Sequence, residues 1–228
     1  GMPGAYSNMA CEAYFPGAKT LPCNSFEDML NATKKSLSDY SMVPVENSLA
    51  GRVADIHHLI PDSGLFIIGE HFQRVNHQLL GLQNSDLKDI KSVKSHAQGL
   101  AQCRKFISDY NLLPVQHIDT AGAAEEVSRT DDPTIAAIAS DMASKIYNLK
   151  VLKSNIEDAA HNTTRFLIMA RKPIMPSIDI ATSVTTIIFE VRSVPAALYK
   201  VLGGFATNGI NLTKLESYIG GKEMNAAR

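Results

Sequence analysis

The sequence predicts an α/β protein built from more than one lobe, and three observations carry that reading. Short β-like apolar runs alternate with helix-like segments along most of the chain, the pattern of parallel sheets with crossover helices. The 228 residues, set against the roughly 150 of an average domain, make more than one compact body. Hydrophobic residues at 45% and charged residues at 20% are ordinary for a globular chain. A chain of this size hides roughly 70% of its unfolded surface, so its core requires neither metal nor disulfide.

The chain opens on GMPGAYS, a glycine loop and helix start with no strand before it. Ser25 heads a helix with Asp28 three residues on, an analogue of the capping box, and Phe26, Met29, Leu30 and Leu37 form its apolar stripe. YSMVPV (40–45) reads as a strand, ENS (46–48) as its exit loop, and RVADIHHLI (52–60) as a helix stopped by Pro61. LFIIG (65–69) and HQLLGL (77–82) are strands, the second leading into a new lobe. The rhythm then repeats. A strand at SVKS (92–95) precedes a helix over 96–109, with Leu100, Cys103, Phe106 and Ile107 on one face, and LPVQHI (113–118) is the next strand. Helix TAGAAEEV (120–127), strand TIAAIAS (134–140), helix DMASKIYNL (141–149) and returning strand TRFLIMA (164–170) complete the set. RKPIMPSIDIA (171–181), with two prolines and no amphipathic period, reads as a linker. Beyond it, strand SVTTIIFEV (183–191), a helix from about Pro195 to Asn208 and strand INLTKLES (210–217) make a β-α-β unit too small to cover both faces of its sheet.

Several function classes are excluded. Twenty-two basic against twenty-three acidic residues leave a net charge of −1 without a block of five like charges, which argues against a general nucleic-acid or membrane-surface binder. No apolar stretch approaches the length of a membrane span, and the sequence predicts a cytoplasmic protein. Cys11, Cys23 and Cys103 are odd in number and far apart, as expected of reduced thiols. His57 and His58 are adjacent and so point to different faces of a helix, and no other metal-ligand spacing occurs. Walker, Rossmann and nucleophile-elbow patterns are absent.

What remains suggests a small acidic ligand. At Gly4-Ala5-Tyr6-Ser7, Asn47-Ser48, Ser95-His96 and Thr120-Ala121 a hydroxyl residue opens a helix at a strand end, and the carboxyl ends of parallel strands gather helix N-termini that favour anions. Ordinary N-capping is the readier explanation of each position alone, and it is the four together that point modestly to an anion. The densest polar cluster is Glu157-Asp158 with His161-Asn162-Thr163-Thr164-Arg165, just before the returning strand. There an arginine can hold a carboxylate bidentately and a threonine can donate to a leaving oxygen, although Asn, Thr and Asp are also common in plain loops. Glu46 either caps its loop or organises the cleft.

The ordered motifs GMPGAYSNMA (1–10), VPVENSLAGRVADIHHLI (43–60), SVKSHAQGLAQC (92–103), DTAGAAEEV (119–127), AAIAS (136–140), IEDAAHNTTRF (156–166) and GINLTKLES (209–217) resemble the prephenate dehydratase family along essentially the whole chain. Asn162, Thr164, Arg165 and Phe166 match its signature. The resemblance implies a catalytic region over 1–172 with a type 2 periplasmic-binding-protein-like fold: lobe one at 1–72 and 164–172, lobe two at 73–163. A linker at 173–182 and a ferredoxin-like ACT regulatory domain at 183–228, cut near its middle, would follow. The catalytic region would lack only its opening strand.

The implied reaction converts prephenate to phenylpyruvate, water and carbon dioxide in phenylalanine biosynthesis, with no cofactor and no metal. The ring hydroxyl must leave as the ring carboxylate departs, so anion anchors and one proton donor are required. Thr164 is the expected donor, acting only once bond breaking has made the leaving oxygen basic. Arg165, Phe166, Asn162, Asn47, Ser48, Ser95, Gln98 and Thr120 are the expected substrate-binding residues. Phenylalanine would bind as allosteric effector near Ala196, Ala197, Leu198, Asn211, Leu212, Glu216 and Ser217, between the ACT domains of a homodimer or homotetramer. The family's Gly-Ala-Leu and Glu-Ser-Arg-Pro appear here as Ala196-Ala197-Leu198 and Glu216-Ser217-Tyr218-Ile219, which weakens that regulatory expectation. Two rivals stand beside this reading: an arogenate dehydratase, and a non-catalytic metabolite sensor.

Overall fold

A computed structural model describes residues 1–176 and 183–217, in two units, Gly1–Val184 and Thr185–Arg228. The first unit runs α1 (Tyr6–Tyr14), α2 (Phe26–Lys34), β1 (Tyr40–Asn47), β2 (Gly51–Arg52), α3 (Ala54–Leu59), β3 (Phe66–Arg74), β4 (Gln78–Gly81), β5 (Ser92–His96), α4 (Ala97–Gln102), α5 (Arg104–Asp109), β6 (Leu113–His117), α6 (Thr120–Ser128), β7 (Ile135–Ala139), α7 (Asp141–Ile146), β8 (Lys150–Lys153) and β9 (Thr163–Ala170). The strands form two sheets, as two lobes require: β2-β1-β9-β3 and β6-β5-β7-β4-β8.

Parallel pairing, expected throughout, holds only at the centre of the second sheet. There β5 runs parallel to β6 and β7, whereas β4 is antiparallel to both β7 and β8. In the first sheet β1 and β3 run the same way but do not touch: the returning β9 lies between them, antiparallel to each. A strand that comes back from the other lobe must enter in the opposite sense, and its insertion makes that sheet wholly antiparallel.

Side-chain alternation along β9 divides the first lobe's core. Phe166 and Ile168 pack with Ala10 of α1 and Met42, while Leu167 and Met169 pack with Leu30, Val43, Val45 and Ile56 beneath α2 and α3. Ser25 caps α2 as expected, its Oγ accepting from the Asp28 N–H at 3.0 Å. Leu37, expected on the same stripe, lies beyond the helix end and is exposed.

The helix expected over 96–109 is two. Cys103 adopts φ −122° and ψ 26°, its N–H bonds Leu100 three residues back, and the axis restarts at α5. β1 runs on through Glu46 and Asn47, which had been read as an exit loop, because β9 offers a ladder there. The brief β2 and β8 carried too few apolar residues to stand out in the sequence.

None of the four hydroxyl positions read as helix openers caps a helix. Ala5 and Val53 precede α1 and α3 without a side-chain cap, His96 Nδ1 caps α4, and Asp119 caps α6. The opening loop instead clasps the second lobe. Gly4 has φ +82°, and a Cβ there would stand 2.9 Å from Ala143 Cα, so only glycine fits. Ser140 and Tyr147 donate to the carbonyls of Gly4 and Pro3.

The second unit, taken by itself, contains α8 (Ala197–Thr207), with the Phe189 ring 6.3 Å from Phe205. Strands expected over 183–191 and 210–217 are not formed among the described residues, since an extended run becomes a strand only beside a hydrogen-bonding neighbour and none lies there. The ferredoxin-like module is therefore not assembled among them. Ala196 sits in the left-handed region at φ 63°, the conformation the family's glycine would adopt freely. Residues 177–182, most of the expected linker, and Tyr218-Ile219 lie outside the described residues.

Candidate active site

A register shift aims the central amide. In β1 the pairing slips between Pro44 and Glu46, so Glu46 faces Arg165 and Asn47 faces Thr164. Strict alternation from Met42 would have turned Asn47 away from Thr164. The bulge returns it to the same face.

Asn47 Oδ1 accepts the backbone N–H groups of Leu49 and Ala50 at 3.0 and 2.9 Å, which fixes the amide's orientation. Its Nδ2 then donates to Thr164 Oγ1 at 3.0 Å and to Asn162 Oδ1 at 2.8 Å. Thr164 thus has a lone pair engaged, which leaves its hydroxyl hydrogen to be given elsewhere. Asn162 is fully buried and donates through Nδ2 to Gln102 Oε1 at 2.9 Å. His77, 2% exposed, reaches the same oxygen with Nε2 at 2.8 Å, while Nδ1 lies 2.8 Å from the Tyr6 hydroxyl. The Glu157 carboxylate accepts the His77 backbone N–H at 2.8 Å.

Burial sets the protonation of this cluster. Desolvation lowers the His77 pKa against the smaller opposing pull of Gln102 and Glu157, which favours a neutral ring. Desolvation also lifts the Tyr6 hydroxyl well above its ordinary value, with Cys103 and Glu157 adding to it. The buried Cys103 thiol is pushed up in the same way, then by Asp158 and Glu157, so it carries no thiolate reactivity.

The remaining sequence-predicted residues fall in different places. Arg165 lies on the opposite face of β9 from Thr164, and its Nε and Nη2 both bind Glu70 Oε2, at 2.8 and 2.7 Å. Phe166 is core, 2% exposed. Ser48 clamps the strand entrance, donating to the His161 carbonyl and accepting from the Thr163 N–H, both at 3.0 Å. Ser95 is buried and donates to the Ile138 carbonyl at 2.6 Å. A Cβ on Gly99 would meet Ser95 Oγ at 2.7 Å and Thr120 Cγ2 at 3.5 Å, so these three crowd together at the carboxyl ends of β5 and β6. Gln98 is exposed on the first turn of α4, four residues before Gln102.

Thr164, Asn47, Asn162 and the unpredicted Gln102, His77 and Tyr6 therefore form one connected group. Gln102 had a sequence signal: Gln98 and Gln102, four apart in SHAQGLAQC, share a helix face. His77 had none and Tyr6 only its place in the Gly4-Ala5-Tyr6-Ser7 helix start, since their meeting spans 71 residues. Among the described residues no group of three or more His, Cys, Asp or Glu is placed to hold a metal ion.

A family model described as Prephenate dehydratase matches residues 1–174. The chain is 48% identical over 219 residues to the bifunctional N-acyl-homoserine lactone acylase/prephenate dehydratase of Komagataeibacter europaeus, covering 96% of this chain and 78% of that protein. It is 40% identical over 217 residues to arogenate dehydratase/prephenate dehydratase 1 of Arabidopsis thaliana, covering 95% of this chain and 55% of that protein, so it spans little more than half the plant enzyme. The solved prephenate dehydratase of Arthrobacter aurescens in complex with L-Phe superimposes with a TM-score of 0.82 at 28% identity, over 96% of this chain and 74% of that one.

Proposed function

The chain belongs to the prephenate dehydratase family, and from that premise we propose that it is a lyase of phenylalanine biosynthesis that converts prephenate to phenylpyruvate, water and carbon dioxide. The observation that carries the reading is the Thr164 hydroxyl, held by a backbone-anchored asparagine with its hydrogen available to substrate.

In the reaction the bond to the ring carboxylate breaks and its electron pair enters the ring, which becomes aromatic as the ring C–O bond breaks. The departing hydroxyl takes a proton through Thr164 and leaves as water, and solvent restores the threonine. A threonine hydroxyl acidifies nothing in the ground state. Its hydrogen bond strengthens only as negative charge gathers on the leaving oxygen, so the stabilisation is confined to the transition state. Asn47 and Asn162 hold Thr164 in place. Gln98 and Thr120 contribute the second lobe's polar wall beside the amino end of α6, the buried Ser95 supports them from beneath through its bond to the Ile138 carbonyl, and Ser48 secures the entrance to β9. Phe166 supports the site from the core. Arg165 grips the Glu70 carboxylate on the other face of β9, so in this proposal it anchors a carboxylate of prephenate only by leaving that pair and reaching round the end of the strand.

Phenylalanine acts as effector in this proposal, at Ala196, Ala197, Leu198, Asn211, Leu212, Glu216 and Ser217, between paired ACT domains of a homodimer or homotetramer. The phenylalanine complex of the Arthrobacter aurescens enzyme supports it. A cytoplasmic location fits too, and among the described residues no helix is long and apolar enough to cross a membrane.

Purified full-length protein supplied separately with prephenate and arogenate tests the activity: phenylpyruvate from prephenate is expected. Phenylalanine from arogenate alone would make it an arogenate dehydratase, and neither product would favour a sensor. The name of the Komagataeibacter europaeus relative supports a second reading, amide hydrolysis of N-acyl-homoserine lactones, read in the same assay as release of homoserine lactone.

A further inference from the structure

We infer that His77 is a positioning residue for Thr164, acting through Gln102, Asn162 and Asn47, with Tyr6 fixing its ring. The inference rests on the dehydratase reading above and adds residues to its machinery.

The direction of every hydrogen in this chain follows from one fixed end. The backbone N–H groups of Leu49 and Ala50 claim Asn47 Oδ1, so Asn47 presents its NH2 to Thr164 and Asn162. Asn162 must then receive on Oδ1 and donate from Nδ2, which makes the Gln102 atom it meets an oxygen. His77 Nε2, 2.8 Å from that oxygen, must carry a proton. Nδ1 of the neutral ring is left as an acceptor, 2.8 Å from the Tyr6 hydroxyl, whose single hydrogen it shares with the Asn76 carbonyl at 2.9 Å. One tautomer satisfies the chain from Asn47 through Asn162 and Gln102 to His77.

His77 also sits where the two passages between lobes run side by side. Its N–H is held by Glu157 and its carbonyl accepts the Ile156 N–H at 3.0 Å, while Asn162 accepts the Val75 N–H at 2.9 Å. The ring bridges α1 to the last residue of α4. Without it, Gln102 Oε1 loses one of its two donors, and only Asn162 Nδ2 is left to hold that amide. The loss passes to Asn162, whose Oδ1 then grips the second Asn47 Nδ2 hydrogen less firmly, and reaches Thr164 as a loosened amide donor. A buried network of this kind loses more than one bond when one member is removed.

The test uses the full-length protein and the kinetics of phenylpyruvate formation. His77→Leu is expected to lower kcat about ten- to a hundred-fold with KM within about two-fold, since His77 reaches substrate only through other side chains. His77→Gln, which keeps a donor toward Gln102, is expected to recover most of that loss. Near-normal kcat in His77→Leu, or a His77→Gln variant as impaired as His77→Leu while equally well folded, would overturn the proposal. If His77→Leu does not fold, Tyr6→Phe serves, with a several-fold fall in kcat expected and an unchanged kcat counting against it. Nitrogen NMR of the wild-type imidazoles is independent of activity. A buried histidine protonated at Nε2 and bare at Nδ1 is expected, and the reverse tautomer refutes the relay. A wild-type protein that shows this tautomer yet forms no phenylpyruvate would remove the dehydratase reading and leave the hydrogen-bond assignment standing.

Discussion

The two faces of β9 differ sharply although their residues alternate along one strand. Toward α1 lie Thr164, Phe166 and Ile168, with a small core of Ala10 and Met42 and an asparagine turned to that side by a bulge. Toward α2 and α3 lie Arg165, Leu167 and Met169, with a larger aliphatic core and a carboxylate partner at Glu70. One face joins packing to the proposed chemistry. The other is a wall with an ion pair at its end. Adjacent residues in a signature can thus have unlike physical roles, because a strand sends neighbours to opposite sides.

Four substitutions sharpen or break that contrast. Phe166→Ala should cost about 3–5 kcal/mol of stability in denaturant unfolding, and kcat should fall as well because Thr164 shares its face. Leu167→Ala should cost a comparable 2–5 kcal/mol yet leave kcat per folded molecule nearly unchanged. Equal kinetic damage from the two would erase the distinction between faces. Asn47→Leu should reduce kcat about ten- to a hundred-fold with little change in Tm, and a KM effect alone would mean that the amide binds substrate rather than aiming Thr164. Smallest is Glu70→Gln. This partly exposed pair should contribute under about 1 kcal/mol, and losing it should lower KM if Arg165 is then freed for a substrate carboxylate. A raised KM would show that Glu70 holds Arg165 in its working position.

Much of the fold was legible because its signals are local. The alternation of apolar runs with Ser-, Asp- or Gly-marked breaks placed most strands and helices within a few residues of their ends. Strand order was not legible: that β9 would enter between β1 and β3 depends on pairings far apart in sequence, and Arg165–Glu70 is an example at 95. The bulge that turns Asn47 leaves no mark in VPVEN beyond the proline itself. SVTTIIFEV has the composition of a strand, but composition supplies no neighbour.

The site was legible in Thr164, Asn162 and Asn47, which meet, and less so in Arg165 and Phe166, which meet other groups. Tyr6 and His77 carried ordinary local patterns, the start of a helix and the start of a strand. Only folding reveals that they close one network.

In the proposed reaction everything turns on the Thr164 hydroxyl, which completes the loss of the substrate's ring oxygen. Turnover of prephenate by full-length Thr164→Val and Thr164→Ser tests it most directly, since valine keeps the shape and removes the hydroxyl while serine keeps the hydroxyl. At wild-type Tm, Thr164→Val should lose about a hundred-fold or more in kcat, and Thr164→Ser should retain activity within about ten-fold. A valine variant turning over prephenate at close to the wild-type rate would contradict the claim.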